Sequence, residues 1–236
     1  MNFDTKVYKG ENHPLERQTT QKTFAHNYGV EFPLTNKTAE SKNSIDFMIE
    51  TIQNHKKKVQ KYQKDKTIIN NIKEIIIMGG TKGDGNIKYN VKAEYNIYID
   101  VDAANIVFNC GIKIKVIGNE VTHKIEFTDE IYEKYKNINT KSSMLTYYIM
   151  KRTFITWNDN YLHDSTTILY HLDNKIITLK DYYTYVDNNN PDVYGTNYGT
   201  MSFNEPTNEK KANIQYSESV DLDLYWKTLE KYVKLY

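Results

Sequence analysis

Between Gly85 and Phe127 apolar side chains recur at every second position. Ile87, Tyr89, Val91, Ala93, Tyr95, Ile97, Ile99 and Val101 occupy the odd numbers, while Lys88, Asn90, Lys92, Glu94, Asn96, Tyr98, Asp100 and Asp102 fall between them. A strand turns successive side chains to opposite faces, so alternation sustained over this length predicts a ribbon with one apolar and one polar face. After Asp102-Ala103-Ala104-Asn105 the pattern resumes at Ile106, Phe108, Cys110, Ile112, Ile114 and Val116. Gly118-Asn119-Glu120 reads as a turn, and Val121, His123, Ile125 and Phe127 alternate a third time. Three antiparallel strands in a meander, about 86–127, are expected.

The rest of the chain supplies elements to cover that sheet. Ile168, Tyr170 and Leu172, then Asp173-Asn174, then Ile176 to Leu179 read as a second hairpin at about 166–179. Helices are predicted at 44–64, 142–152 and 219–235 from apolar residues at helical spacing, with acids early and lysines late. The fold class expected is α+β, an antiparallel sheet with its helices packed on one face. Residues 1–40 show no sustained period and read as an extended arm, with 41–236 as a single domain. Within it, 187–211 carries Asn188-Asn189-Asn190-Pro191, Gly195, Gly199 and Pro206, a long loop of the kind that is usually functional or disordered. Gly79-Gly80-Thr81-Lys82-Gly83-Asp84-Gly85 follows the run Ile75-Ile76-Ile77-Met78. It does not fit a phosphate loop, because the required Gly-Lys-Ser/Thr is absent and a strand is expected next.

Charge is nearly balanced, with 31 Lys plus Arg against 30 Asp plus Glu, so nothing global argues for a nucleic-acid or acidic-membrane partner. Cys110 is the only cysteine, so no internal disulfide and no cysteine-based zinc site can form. No cofactor is expected. Met1 to Gly10 lacks the apolar core of a signal peptide, and a cytoplasmic product, or one exported without a cleaved leader, is expected.

The densest polar cluster is Trp157 to Ser165. In an extended chain Asp159, Tyr161 and His163 project from one side, and an acid, a phenol and an imidazole together can move a proton. These are the candidate catalytic residues. His163 and His171, on either side of Asp164-Ser165, are weaker candidates for holding a metal. The adjacent His163, Asp164 and Ser165 make no hydrolase triad, whose members come from separated elements. The Asp-x-Tyr core with its nearby histidine resembles the lipid II-cleaving colicin M family. That family's second aspartate is Leu162 here, and no arginine follows His163. Tyr194, Tyr198 and Phe203 in the long loop are candidate partner contacts.

The long alternating ribbon and the arm favour a non-catalytic binding or assembly protein, of the virion, phage or secretion-apparatus type, or a β-hairpin toxin component. A protein partner or self-assembly follows, with a membrane involved only if the meander is a pore hairpin. The alternative is a small hydrolase-like effector or toxin working through Asp159, Tyr161 and His163.

Overall fold

The computed structural model describes residues 6–10, 38–54, 66–87, 92–189 and 197–235. β1 (Tyr8–Lys9) pairs in parallel with β2 (Glu40–Asn43), and α1 (Ser44–Asn54) follows directly. A 3₁₀ turn over Lys66–Asn71 leads to β3 (Ile75–Met78). Then come α2 (Tyr95–Tyr98), α3 (Val101–Phe108), β4 (Ile114–Ile117), α4 (Asn119–Thr122), α5 (Asp129–Ile138) and α6 (Lys141–Trp157). α7 (Ser165–Leu172), β5 (Ile177–Tyr182), β6 (Ile214–Val220) and α8 (Leu222–Val233) complete the order. No helix among the described residues is long and apolar enough to cross a membrane.

The main sheet runs β3-β4-β6-β5. β3, β4 and β6 are parallel, with Ile75 opposite Ile114 and Met78 opposite Ile117, while β5 is antiparallel to β6. The molecule is thus a mixed helix-and-sheet protein, as expected at that coarse level, but the antiparallel meander is absent. Where the first ribbon was expected, the chain is helical from Tyr95. The reason lies in the caps and the spacing. The Glu94 carboxylate accepts hydrogen bonds from Asn96 N and Ile97 N, and Asp100 accepts one from Ala103 N, so each acid starts a helix. Ile97, Val101 and Phe108 are buried with Ala104 packed against them, a stripe at the 4, 3, 4 spacing of a helix, of which only Ile97 and Val101 also satisfy odd-number parity.

The second expected ribbon shrinks to β4. All of Ile114, Lys115, Val116 and Ile117 are buried, so this is an inner strand covered on both faces rather than one with a wet side. Ile114 and Val116 join a core with Ile97, Val101, Phe108, Ile214 and Tyr216, while Ile117 joins another with Leu169, Tyr170, Ile176 and Tyr225. Helices therefore cover both faces of the sheet, not one. The hairpin at 166–179 is a helix, α7, entering β5, because Thr166, Leu169 and Tyr170 bury at helical spacing and Asp173 ends the helix. The segment Thr153–Trp157, which reads as a strand, is the end of α6. Two other expected helices appear with changed bounds: α8 starts from the Asp221 cap, with Ser219 still in β6, and α1 is described to Asn54.

Candidate active site

In open parallel sheets, ligands bind beyond the carboxyl ends of the strands. Here β3 ends in Gly79-Gly80 and β4 in Gly118-Asn119, joined by a hydrogen bond from Asn119 N to Gly80 O at 3.0 Å. Gly80 has φ of +75°, a backbone that disfavours any side chain. At Gly118 an added Cβ would lie 1.6 Å from the Tyr216 hydroxyl, so only glycine lets this turn pass over β6.

Glu120 ties the crevice together. Its Oε1 accepts from Thr81 Oγ1 at 2.6 Å, Lys82 N at 2.5 Å and Gly83 N at 2.9 Å, and its Oε2 accepts from the Tyr216 hydroxyl at 2.5 Å. Burial works to raise its pKa, but the hydrogen bonds from Thr81, Tyr216 and the backbone outweigh it and hold the carboxyl below the usual range. The glycine-rich stretch after β3 is therefore a loop pinned to α4.

The cluster predicted around residue 160 arrives at the same end of the sheet. Phe127 N donates to Asn160 O at 2.8 Å, and Leu162 N donates to Ile125 O at 3.1 Å, which lays 160–162 against 125–127. Asn158, with φ of +50°, ends α6, and Asp159 Oδ1 accepts from Tyr161 N at 2.9 Å to make a tight turn. His163 then sits between two partners: Nδ1 is 2.9 Å from Thr122 Oγ1, and Nε2 is 3.3 Å from Asp159 Oδ2. The His123 ring lies 5.0 Å from Tyr161 and 5.5 Å from His163. Partial burial, then the neighbouring His163, hold the His123 imidazole below its ordinary pKa against the opposite pull of Asp159 and Glu120. An imidazole bridging a hydroxyl and a carboxylate can donate or accept a proton with its orientation set.

Asp159, Tyr161 and His163 are thus brought together, by a turn and not by an extended strand. Ser165 starts α7 and makes no triad with His163 and Asp164. His171 is on the exposed side of α7 and lines a cavity with Lys73, Glu74 and Lys115 near the amino end of β3. No group of three His, Cys, Asp or Glu side chains able to hold a metal forms among the described residues. Tyr194 lies outside the described residues. Tyr198 is buried edge-on against Tyr98 at 5.4 Å, and Phe203 packs on Tyr216 at 4.6 Å. Tyr198 belongs to the core and the half-buried Phe203 packs against it, because bridges between Val186 and Met201 and between Tyr183 and Asn204 fold the loop back.

Four residues of the crevice were not singled out from sequence: Asn119 and Glu120, read as a turn, His123, read as part of the third alternating strand, and Thr122. The legible signal was the unbroken apolar run Ile75–Met78 followed by Gly79-Gly80, the mark of a buried parallel strand ending at a crevice.

Comparison with known proteins places this geometry. The profile of the inosine-uridine preferring nucleoside hydrolase family matches residues 1–227. The chain is similar to the pyrimidine-specific ribonucleoside hydrolase RihB of Escherichia coli, 26% identical over 258 aligned residues that cover 100% of this chain and 81% of that protein. Its fold is similar to the solved purine-preferring ribonucleoside hydrolase from Gardnerella vaginalis, with a TM-score of 0.78, 23% identity, and coverage of 98% of this chain and 81% of that one. It is also similar to the plant nucleoside hydrolase PpNRh1, with a TM-score of 0.80, 20% identity and the same 98% and 81% coverage.

Proposed function

Since the chain belongs to the inosine-uridine preferring nucleoside hydrolase family, we propose that it cleaves the N-glycosidic bond of ribonucleosides at the His163 cluster. The family assignment overturns the non-catalytic assembly protein, the hairpin toxin and the colicin M-like effector. Their structural support has gone as well, because the amphipathic meander on which the first two rested is helix and buried parallel strand.

The reaction breaks the bond between C1′ of the sugar and a nitrogen of the base. Water supplies a hydroxyl to C1′ and, in net terms, a proton to the departing base. Expelling a base as an anion is unfavourable, so a proton delivered to it lowers the barrier. His163 suits that role. Thr122 fixes Nδ1 at 2.9 Å and so sets the plane of the imidazole, and Nε2, whose contact with Asp159 is the longer at 3.3 Å, is the atom that gives its proton to the base. Asp159 also stabilises the protonated ring, the part a carboxylate plays beside any catalytic histidine. Tyr161 and His123 present rings beside it, a surface on which a flat heterocycle can stack.

The observation that carries this reading is the His163 imidazole held between Thr122 and Asp159 at the carboxyl end of a parallel strand, in a chain of this family. The test is release of free base and ribose from uridine and inosine by the purified chain. His163→Gln is expected to lower kcat by about 10²–10⁴-fold, and Asp159→Asn by a smaller factor. An inactive wild type, or a His163→Gln variant with full activity, refutes the reading.

A further inference from the structure

Lys82, at the tip of the glycine-rich loop, is tied through both its main chain and its side chain. Its N–H donates to Glu120 Oε1 at 2.5 Å, while its ammonium donates to the Tyr182 hydroxyl at 2.8 Å and to Glu218 Oε1. The Tyr182 hydroxyl donates to the same Glu218 oxygen at 3.0 Å. The ammonium also lies 4.1 Å from the centre of the Tyr182 ring, 5.2 Å from that of Tyr216 and 5.5 Å from that of Phe203. A cation over an aromatic face is attracted to it. Tyr182 ends β5, Tyr216 and Glu218 are in β6, and Phe203 comes from the loop folded back between them. Burial works to raise the Glu218 pKa, but the bonds from Lys82 and Tyr182 hold it below the usual range, so the pair is ionised at neutral pH.

An isolated ion pair near the surface contributes little. This one is placed where its loss is felt elsewhere. Two of the three donors on Glu120 Oε1 are Lys82 N and the N of the next residue, Gly83. Where they sit depends on where the Lys82 side chain is tied. Glu120 belongs to α4, which is one turn long and has no side-chain cap, so the tethers on Glu120 bear on how that turn lies. Thr122 is two residues further on, and its Oγ1 is the 2.9 Å partner of His163 Nδ1.

We infer that Lys82 is a positioning residue for His163, on the nucleoside-cleaving reading above: it clamps the β3 loop to β5 and β6 so that Glu120 holds α4 and Thr122 holds the imidazole. Lys82 touches no reacting atom in this role and acts through Glu120. The clamp requires an ammonium. A methionine fills similar space among the three rings but donates to neither Tyr182 nor Glu218. Lys82 is then held by its backbone alone, and the loop tip is free to draw Glu120 and α4 with it.

The experiment compares the full wild-type chain with Lys82→Met, Glu218→Gln and the double variant. It uses steady-state kinetics on uridine and nitrogen NMR of the histidine rings. His163→Gln assigns the His163 signals, and Thr122→Val is the reference for a lost bond to Nδ1. Lys82→Met is expected to lower kcat about tenfold, the scale of a small misplacement of a catalytic group, with KM within about threefold. Glu218→Gln gives a similar loss, and the double variant loses no more than the larger of the two, as for partners in one interaction. The His163 Nδ1 signal moves in Lys82→Met toward its position in Thr122→Val. An unmoved signal overturns the inference whatever the kinetics, and a lower melting temperature beside it assigns Lys82 to structure alone. Losses that multiply in the double variant also overturn it, as does a raised KM with kcat intact, which makes the loop a substrate contact. Where methionine does not fold, Glu218→Gln breaks the same clamp from β6 and carries the comparison. A wild type active on neither uridine nor inosine sinks the parent reading, and the His163 signal then still decides whether Lys82 positions the ring.

Discussion

Glu120→Gln tests whether one carboxylate holds the crevice in shape. The wild-type carboxylate accepts from Thr81 Oγ1, Lys82 N, Gly83 N and the Tyr216 hydroxyl, which links the β3 loop, α4 and β6. Glutamine keeps an oxygen for the three donors on one side but presents an amide nitrogen to Tyr216 and removes the charge. A hydrogen bond to a charged group contributes about 1 kcal/mol more than a neutral one. Four such bonds, discounted for the partial exposure of Glu120 and for the desolvation relieved in the variant, give a loss of about 2–3 kcal/mol. For a chain of this size that is about 5–10 °C in Tm. The sign of the pH dependence is fixed by the depressed pKa. The contribution is present in full above the ordinary value of 4.5 and is lost as pH falls through the lower folded value. Glutamine has no such dependence, so the stability gap between the two proteins narrows below that pH. Urea denaturation at pH 7 and at several values below 4.5 measures the gap. A gap that stays constant across the series would falsify the claim that the ionised form makes these bonds.

Gly118→Ala puts a Cβ at 1.6 Å from the Tyr216 hydroxyl and 2.2 Å from its ring carbon Cζ, and Tyr216 is fully buried. A destabilisation of about 3 kcal/mol is expected by chemical denaturation, and a change below 1 kcal/mol would show that the ring moves freely. Lys115 and Glu74 form a 2.9 Å ion pair with side chains only 9% and 17% exposed. Glu74→Ala leaves the lysine charge stranded in the sheet, with an expected loss of about 3 kcal/mol in the same assay. His123 has a depressed pKa, so the unfolded chain binds more protons in the interval between the folded value and the ordinary 6.5. The wild type should lose stability as pH falls through that interval, and His123→Gln should remove that part of the slope.

Some of this protein was legible in its residues alone. The stretch 157–163 was marked out by type, and Asp159, Tyr161 and His163 do converge, because a turn held by the Asp159 carboxylate depends only on neighbours in sequence. Helices with strong end signals also stood out, α8 most clearly, with acids at its start, lysines near its end and one apolar face. Cys110 is buried, as its place in the apolar pattern implied.

Tertiary structure decided the rest. Ile97 and Val101 satisfy both a period of two and helical spacing, and that pair could not choose between them. The choice was made by Glu94 and Asp100 as caps and by β4 as the surface to be covered. Lys115 falls at the polar parity of β4 but is buried in an ion pair with Glu74, which is why Ile114–Ile117 was absorbed into a longer ribbon with a wet side. The partners of His163 come from a separate segment, since Thr122 is 41 residues away in sequence. Spacing along the chain has no access to such a pair, because only the hydrogen bonds of 160–162 to 125–127 bring the two segments side by side.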